Sequence, residues 1–226
     1  MRKIKIGTRN SALAIWQANY IGSYLEKAGL NYELIAISTK GDQILDRSLS
    51  KIGSKGVFTE ELEQMLRNGD IDIAQHSAKD LPSTLPEDLQ LIAFTEREKS
   101  HDVLLSLDPN FTLNTPGAYQ IGTSSTRRRA FLGHLYPSLK PVEMRGNLQT
   151  RLEKLKNGDC HAMILAYAGV YRMGMSAYIT EHLPLDQFIP AVGQGSIAIE
   201  ASTSLDPQLR EAIVAACNDS ATQVCL

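Results

Sequence analysis

Short apolar runs alternate with patterns of helical period along this chain. Residues 4–8 are predicted as a strand, and a helix follows over about residues 11–27, with apolar positions on one stripe and Gly29 beyond its end. Residues 32–38 form a second predicted strand, which is apolar enough to be buried on both faces. The chain therefore opens with a strand, a helix and a second strand.

The same alternation continues to the end of the chain. Further strands are predicted at 71–76, 89–95, 119–123, 141–144, 162–166 and 196–200. Further helices are predicted at 125–135, 147–157, 168–173 and 206–218, together with one that Thr59 caps and that carries Glu60 and Glu61 in its first turn. The charged run 96–102 is predicted as a crossover. This order predicts an α/β fold with largely parallel sheets.

One connection, residues 39–58, is much longer than the others. It contains Gly41, Gly53 and Gly56 and has few periodic apolar positions. Connections of this length within a compact domain are usually lids or binding loops. We therefore expect this segment to act as a lid over a ligand.

The composition narrows the class of protein. A chain of 226 residues with 43% hydrophobic residues is long enough for one large or two modest domains with a real core. No apolar run approaches the roughly 18 residues that cross a membrane, and the N-terminal residues lack a signal-peptide pattern. A soluble, cytoplasmic protein is predicted. Cys160, Cys217 and Cys225 have no metal-ligand or disulfide spacing, so no metal site is expected.

The formal net charge of -2 conceals an asymmetry. Residues 121–172 contain nine basic and three acidic residues, a net charge of +6, which leaves -8 for the rest of the chain. Such a segment can bind anions. Polynucleotide binding is the weaker interpretation, because the whole chain is acidic and only 6% aromatic.

Polar residues follow several predicted strands, which is where open α/β sheets bind ligands. After the first strand, Ser11 can cap the helix, and Arg9 beside the helix amides can hold an anion. A simple cap with a surface arginine explains the same residues equally well. After a later strand, Thr123, Ser124 and Ser125 offer hydroxyl and amide donors near the start of a helix.

Three consecutive arginines open that helix. Arg127 and Arg128 offer planar forks for carboxylate or phosphate. Successive residues point about 100° apart on a helix, so the three cannot serve one ligand, and Arg129 is expected to be solvated. The alternative is a solvated basic helix start. Three further arginines at successive strand ends would complete a crevice for a ligand with many carboxylates: Arg145, Arg151 and Arg172.

One acidic residue, Asp80, follows the predicted strand 71–76. Facing arginines, its carboxylate would stay ionised and could hold a developing cation or transfer a proton. From spacing alone, a turn aspartate that accepts local amides before Pro82 is the stronger interpretation. His76 is expected to be a packed histidine at the strand end.

Together, these polar stretches resemble those of the porphobilinogen deaminase family, whose members are also called hydroxymethylbilane synthases. The matching stretches occur in family order and include Gly-Thr-Arg-Asn-Ser-Ala-Leu-Ala at 7–14, Thr-Lys-Gly-Asp at 39–42, Gly-Ser-Lys-Gly-Val-Phe at 53–58, His-Ser-Ala-Lys-Asp at 76–80, Gly-Thr-Ser-Ser-Thr-Arg-Arg at 122–128, Arg-Gly-Asn at 145–147 and Pro-Ala-Val-Gly-Gln-Gly at 190–195. They cover almost the whole chain and together are highly specific.

The resemblance implies two α/β domains like those of type II periplasmic binding proteins, with the active-site cleft between them. Residues 1–97 plus 192–226 would form the first domain and residues 98–191 the second, inserted domain. The family adds a third domain, whose cysteine in a Gly-Gly-Cys setting anchors a dipyrromethane cofactor. That motif is not found in these 226 residues, so we expect the third domain to be absent. Cys225 lacks the motif's context and is not expected to be the anchor.

The resemblance also implies the reaction. Four porphobilinogen molecules would be joined onto the cofactor with loss of ammonia, and hydrolysis would release hydroxymethylbilane. Asp80 would be the catalytic residue. The substrate and cofactor contacts implied are Arg9, Ser11, Lys55, Phe58, Lys79, Thr123, Ser124, Ser125, Arg127, Arg128, Arg145, Arg151 and Arg172.

Several expectations accompany this assignment. We expect a monomer that binds carboxylated pyrroles and binds neither nucleic acid nor membranes. We also expect weak or no turnover by this short chain. The alternative is a non-catalytic module of the periplasmic-binding-protein type for a small carboxylated ligand. That alternative explains the arginines but gives no reason for Asp80.

Overall fold

The computed structural model describes residues 2–39 and 59–226. It divides into two compact units: Met1–Glu98 with Ser196–Leu226, called unit 1, and Lys99–Gly195, called unit 2. The predicted lid falls almost entirely at 40–58, outside the described residues, and so do Lys55 and Phe58.

Unit 1 is a five-stranded sheet covered by helices. Its strands are β1 (Ile4–Arg9), β2 (Tyr32–Ile37), β3 (Ile73–Ser77), β4 (Leu89–Phe94) and β10 (Ile197–Ser202), and its helices are α1 (Ala12–Lys27), α2 (Glu60–Asn68), α6 (Pro207–Cys217) and α7 (Ser220–Cys225). The strand order is β2-β1-β3-β10-β4. Strand β1 runs parallel to β2 and β3, whereas β10 is antiparallel to β3 and β4.

Burial on both faces holds the sheet of unit 1 in place. On one face, Ile6 and Ile73 pack with Ile21 of α1 and Ile213 of α6. On the other face, Leu62 of α2 packs with neighbouring apolar residues of the sheet region. Strand β1 is buried along most of its length, whereas β2 lies at the edge of the sheet and is only partly buried. The prediction that β2 is buried on both faces was therefore wrong, because an apolar run does not show whether a strand is central or at an edge.

Unit 2 repeats the same plan. Its strands are β5 (Asp102–Ser106), β6 (Gln120–Gly122), β7 (Lys140–Val142), β8 (Ala162–Ala166) and β9 (Ile179–His182), and its helices are α3 (Thr126–Leu135), α4 (Leu148–Lys156) and α5 (Tyr167–Arg172). The strand order is β7-β6-β8-β5-β9. Alternate residues of β5 enter two cores, with Val103 and Leu105 on one face and Leu104 on the other.

The sheets are mixed rather than largely parallel. In unit 2, β6 is parallel to β7 and β8, but β5 is antiparallel to β8 and β9. Four of the eight described pairings are therefore antiparallel. The prediction was also wrong at the end of the run 96–102, because Asp102 begins β5. A buried charge at a strand start gives no strand signal in the hydropathy pattern.

The helix starts follow the capping chemistry of the sequence. Ser11 is the N-cap of α1, and its Oγ accepts a hydrogen bond from Ala14 N at 3.3 Å, as predicted. Thr59 occupies the N-cap position of α2, but its hydroxyl donates to the Glu63 carboxylate at 2.6 Å instead of capping an amide. Helix α2 therefore begins at the predicted residue with a different hydrogen bond.

The three thiols differ in environment. Cys160 and Cys217 are buried and Cys225 is exposed, and all three are free. Burial raises the pKa of the Cys160 thiol to about 11 and that of the Cys217 thiol to about 12. Both buried thiols are thus small apolar groups at neutral pH. Among the helices the structure describes, none combines the length and apolar character that a membrane crossing requires.

Candidate active and ligand-binding site

The carboxyl ends of β1 and β3 bring four predicted site residues to one edge of the unit 1 sheet. Arg9 is the last residue of β1, and Ser11 follows it at the start of α1. Strand β3 ends at Ser77 and leads into a single 3₁₀ turn, Ala78–Asp80, in which Lys79 and Asp80 are exposed. Because β1 and β3 are parallel neighbours, these two strand ends meet at the same edge.

A buried polar network supports this edge from below. The side-chain amide of Gln75 lies 2.9 Å from Thr8 Oγ1 and 2.8 Å from Gln17 Oε1, and Gln17 Nε2 donates to Ser77 Oγ at 3.0 Å. The network connects β1, α1 and β3 immediately behind the turn that carries Asp80. Sequence reasoning missed it, since neither glutamine follows a strand end.

His76 is buried, as expected for a packed histidine. Its Nε2 lies 2.9 Å from Glu200 Oε2, and both side chains are shielded from solvent. The pair joins β3 to β10 and so fixes the strand that leads into the Asp80 turn. It is a structural contact inside unit 1.

In unit 2, the hydroxyls after β6 organise the protein's own backbone. Thr123 Oγ1 accepts a hydrogen bond from Ser125 N at 3.3 Å, and Ser125 Oγ caps α3 by accepting from Arg128 N at 3.4 Å. Ser124 Oγ donates to Met144 O at 2.7 Å and accepts from Met144 N at 3.1 Å. The three hydroxyls thus hold the loop that starts α3, and one of them satisfies an amide in the first turn of the helix.

Arg127 and Arg128 converge on a carboxylate that the sequence did not single out, Asp102. Arg128 Nη2 donates to Asp102 Oδ1 at 2.8 Å, and Arg127 Nη2 lies 2.8 Å from Asp102 Oδ2. Arg128 Nη1 also donates to Ile164 O, and Arg127 Nη1 to Ile189 O. Arg127 keeps 23% of its side chain exposed, whereas Arg128 keeps 7%.

Gln194 completes the surroundings of Asp102. Its Nε2 donates to Asp102 Oδ1 at 2.9 Å and to Ser100 O at 2.6 Å. Burial raises the pKa of Asp102, but Arg128, Arg127 and Gln194 lower it by more, so that the net shift is below the ordinary value. The carboxylate is therefore ionised at neutral pH. A charged residue directly before an apolar strand was the only signal for it in the sequence.

The other predicted arginines of unit 2 also follow parallel strands. Arg145 comes after β7, and its Nε donates to Glu143 Oε1 at 2.9 Å. Arg151 lies in α4 and donates to Gly146 O at 2.8 Å, and Arg172 ends α5, which follows β8, and donates to Gly195 O at 2.8 Å. Since β6, β7 and β8 are parallel, Arg127, Arg128 and Arg145 follow strand ends at one edge of this sheet.

The donor set suits an acidic organic ligand better than a metal ion. Arginine forks and helix amides bind carboxylates, whereas metal ions need several imidazole, thiolate or carboxylate ligands. Among residues 2–39 and 59–226, no group of three or more such side chains is placed to hold a metal. Arginines, hydroxyls, Lys79 and the exposed Asp80 are the groups that follow the strand ends of the two sheets.

Comparison with solved structures shows the fold. A periplasmic substrate-binding protein of an ABC transporter from Coxiella burnetii superposes with a TM-score of 0.58 at 13% identity, covering 98% of this chain and 94% of that one. The VFT2 domain of Bordetella pertussis BvgS gives a TM-score of 0.54 at 16% identity, covering 94% and 85%. The chain therefore has the α/β fold of periplasmic-binding-protein-like domains, as the resemblance implied.

Comparison of sequences shows the family. The protein-family model described as "Porphobilinogen deaminase, dipyromethane cofactor binding domain" matches residues 4–211 of this chain. The porphobilinogen deaminase of Cytophaga hutchinsonii is 54% identical over 222 residues, or 98% of this chain and 71% of the relative. That of Desulfosudis oleivorans is 50% identical, covering 99% and 73%. With a match along nearly its whole length, the chain belongs to the porphobilinogen deaminase family.

Proposed function

We propose that this chain acts in tetrapyrrole biosynthesis as a porphobilinogen deaminase, with porphobilinogen and its oligomers as ligands. The observation that carries the proposal is the strand-end chemistry: an exposed Asp80 beside cations in unit 1, and arginines after parallel strands in unit 2. Membership of the family favours this enzyme over a non-catalytic binding module.

The arginines match the charge of the ligand. Each porphobilinogen carries two carboxylates, so a growing oligopyrrole is a polyanion that needs several cations at fixed positions. We assign that role to Arg9 in unit 1 and to Arg127, Arg128, Arg145, Arg151 and Arg172 in unit 2, with Ser11, Lys79, Thr123, Ser124, Ser125, Lys55 and Phe58 as further contacts. The Ser125-capped start of α3 adds amide donors of the kind that bind anions.

The same residues fit a dipyrromethane cofactor. The start of α3 combines Arg127, whose side chain is 23% exposed, with a capped helix end, and such a donor set can hold carboxylated pyrroles. When bound, dipyrromethane supplies the pyrrole carbon onto which substrate units are joined. For its attachment we propose neither of the buried thiols, Cys160 and Cys217, because their raised pKa values leave them protonated at neutral pH.

Asp80 is proposed as the catalytic residue. Loss of ammonia from porphobilinogen leaves a cationic pyrrole, and an exposed carboxylate can stabilise that charge and then accept or return a proton. The 3₁₀ turn presents Asp80 at the end of β3, a strand fixed by the His76–Glu200 pair. We further propose that the protein works as a cytoplasmic monomer without nucleic acid or membrane partners.

The test compares binding with turnover. The purified chain is incubated with porphobilinogen while ammonia release, affinity by calorimetry and intact mass are measured. Asp80→Asn should remove whatever ammonia release the unaltered chain shows and change the affinity less than about threefold, because the carboxylate acts on the cation that forms after binding. Asp70→Asn, an exposed aspartate of the same unit, is the matched control and should behave like the unaltered chain.

Two results would contradict the proposal. One is a chain that neither binds porphobilinogen nor releases ammonia from it. The other is an Asp80→Asn variant that retains full turnover. A covalent dipyrromethane adduct on Cys160 or Cys217, seen as a mass increase, would overturn the assignment of those thiols.

A further inference from the structure

Asp102 is the most completely enclosed carboxylate of unit 2. It is the first residue of β5, and its side chain is 0% exposed. Two guanidinium groups, from Arg127 and Arg128, and the amide of Gln194 surround it at 2.8 to 2.9 Å. Burying a carboxylate carries a large desolvation penalty, which its close charged partners must offset.

The charge balance of this cluster leaves one positive charge in excess. A single carboxylate faces two guanidinium groups, and the positive end of α3 lies at the same place. Within the described residues, Nε of the buried Arg128 has no hydrogen-bond partner. The cluster is thus set up to receive an anion, which matches the proposed ligand.

Asp102 also fixes the orientation of Arg127, the more exposed of the two arginines. Arg127 Nη2 lies 2.8 Å from Asp102 Oδ2, a close ion pair whose angles do not make it a hydrogen bond. Arg127 Nη1 donates a hydrogen bond to Ile189 O at 2.7 Å. Two contacts on two nitrogens hold the plane of the guanidinium group. Arg128 holds Asp102 from the other side through Oδ1.

We infer that Asp102 is a positioning residue for ligand binding: it fixes the guanidinium group of Arg127 so that its remaining donors face the carboxylates of the pyrrole ligand. Asp102 itself is buried and does not touch the ligand. The inference rests on the proposed function, since it takes carboxylated pyrroles as the ligand. It adds a residue to the site, and it explains why β5 begins with a buried charge.

A merely structural role predicts a different outcome. If Asp102 served folding alone, Asp102→Asn would lower stability but leave the affinity of the folded protein unchanged. If Asp102 acts through Arg127, the effect of Asp102→Asn on affinity must depend on whether Arg127 is present. A double-mutant cycle measures that dependence.

The experiment uses the full chain and porphobilinogen as the probe. Affinity is measured by calorimetry for Asp102→Asn, Arg127→Gln and the double variant, and stability is measured by urea unfolding. We expect Asp102→Asn to weaken binding by about tenfold, a typical coupling between residues in contact. In the Arg127→Gln background the further loss should be less than about twofold. Arg129→Gln, at the exposed neighbouring position, is the matched control and should retain the original affinity.

A further variant keeps the proposal testable if Asp102→Asn does not fold. Arg127→Lys retains the charge, but its single nitrogen lacks the planar fork whose two nitrogens contact Asp102 and Ile189 O separately. We expect it to bind porphobilinogen as poorly as Arg127→Gln. Full affinity in Arg127→Lys, or an unreduced effect of Asp102→Asn in the Arg127→Gln background, would overturn the inference.

Failure of the proposed function is recognised separately. If the unaltered chain does not bind porphobilinogen, the ligand assignment is wrong. The free energies of unfolding of Asp102→Asn, Arg127→Gln and the double variant then show whether the two residues interact. Non-additive losses of stability would support the fixed pair. Additive losses would show that Asp102 does not hold Arg127.

Discussion

Ser124 provides a direct test of how the loop before Arg145 is held. The pairing of β6 with β7 ends at Gly122 and Val142. Beyond that point the Ser124 hydroxyl donates to Met144 O at 2.7 Å and accepts from Met144 N at 3.1 Å. One side chain thus takes the place of a further strand residue, and Arg145 follows directly.

Replacing Ser124 by alanine removes both hydrogen bonds at once. The backbone N–H and C=O of Met144, a residue that is 1% exposed, would lose their partner. A buried group left unsatisfied costs about 1–3 kcal/mol, and partial access of water at the half-buried Ser124 reduces that cost. We expect Ser124→Ala to lower the free energy of unfolding by about 2 kcal/mol. Affinity for porphobilinogen should fall too, because Arg145 loses its support.

Urea unfolding followed by circular dichroism measures this change. Ser23→Ala is the matched control: Ser23 is also half-buried, but its hydroxyl only donates to Tyr20 O within α1. The control should change the free energy of unfolding by less than about 0.5 kcal/mol. A loss below about 0.5 kcal/mol in Ser124→Ala would contradict this prediction, since it would mean that water replaces the hydroxyl at no cost.

Three further predictions concern packing, thiol reactivity and pH. In urea unfolding, Gly22→Ala should destabilise the protein by about 1–2 kcal/mol, because the new Cβ would lie 2.2 Å from the Tyr32 ring. Gly133→Ala is the contrasting variant: no atom lies near its new Cβ, and the protein should become more stable by up to about 1 kcal/mol. Iodoacetamide at pH 8 should label Cys225 rapidly, but Cys160 and Cys217 only after unfolding, as measured by peptide mass spectrometry. Rapid labelling of Cys160 or Cys217 in the folded protein would contradict their burial. Because the pKa of Asp102 is lowered in the fold, its stabilisation should be complete above about pH 4 and disappear as pH falls further, and Asp102→Asn should show a smaller acid-induced loss in urea midpoints.

The positions of the candidate residues could be predicted from the sequence because they depend on local pattern. An apolar strand followed by polar residues predicts a strand end, and that rule correctly placed Asp80 after β3 and Ser125 at the start of α3. The cap at Ser11 follows from the same local chemistry. Each of these features is fixed by residues within a few positions of one another.

Strand direction and buried charge pairs could not be predicted in this way. The side chains of a strand alternate whether it runs parallel or antiparallel, so the pattern did not reveal that β10 is antiparallel to its neighbours. Strand β5 was not among the predicted strands. Asp102 gains its partners from residues 25 or more positions away in sequence, and only the folded sheet brings them together. The roles of Thr123 and Ser124 toward the protein's own backbone likewise depend on tertiary contacts.

The partners of the arginines indicate how a site for a polyanion can be prepared before the ligand arrives. A carboxylate partner fixes an arginine but cancels its charge, whereas a backbone carbonyl fixes it and leaves the charge intact. Four of the five unit 2 arginines assigned to the ligand donate to a carbonyl: Arg127 to Ile189, Arg128 to Ile164, Arg151 to Gly146 and Arg172 to Gly195. Two of them share the single carboxylate of Asp102, so one charge is neutralised for two oriented guanidinium groups. Much of the ordering cost of binding is thereby met during folding, and the positive charge that attracts a carboxylated ligand is largely retained.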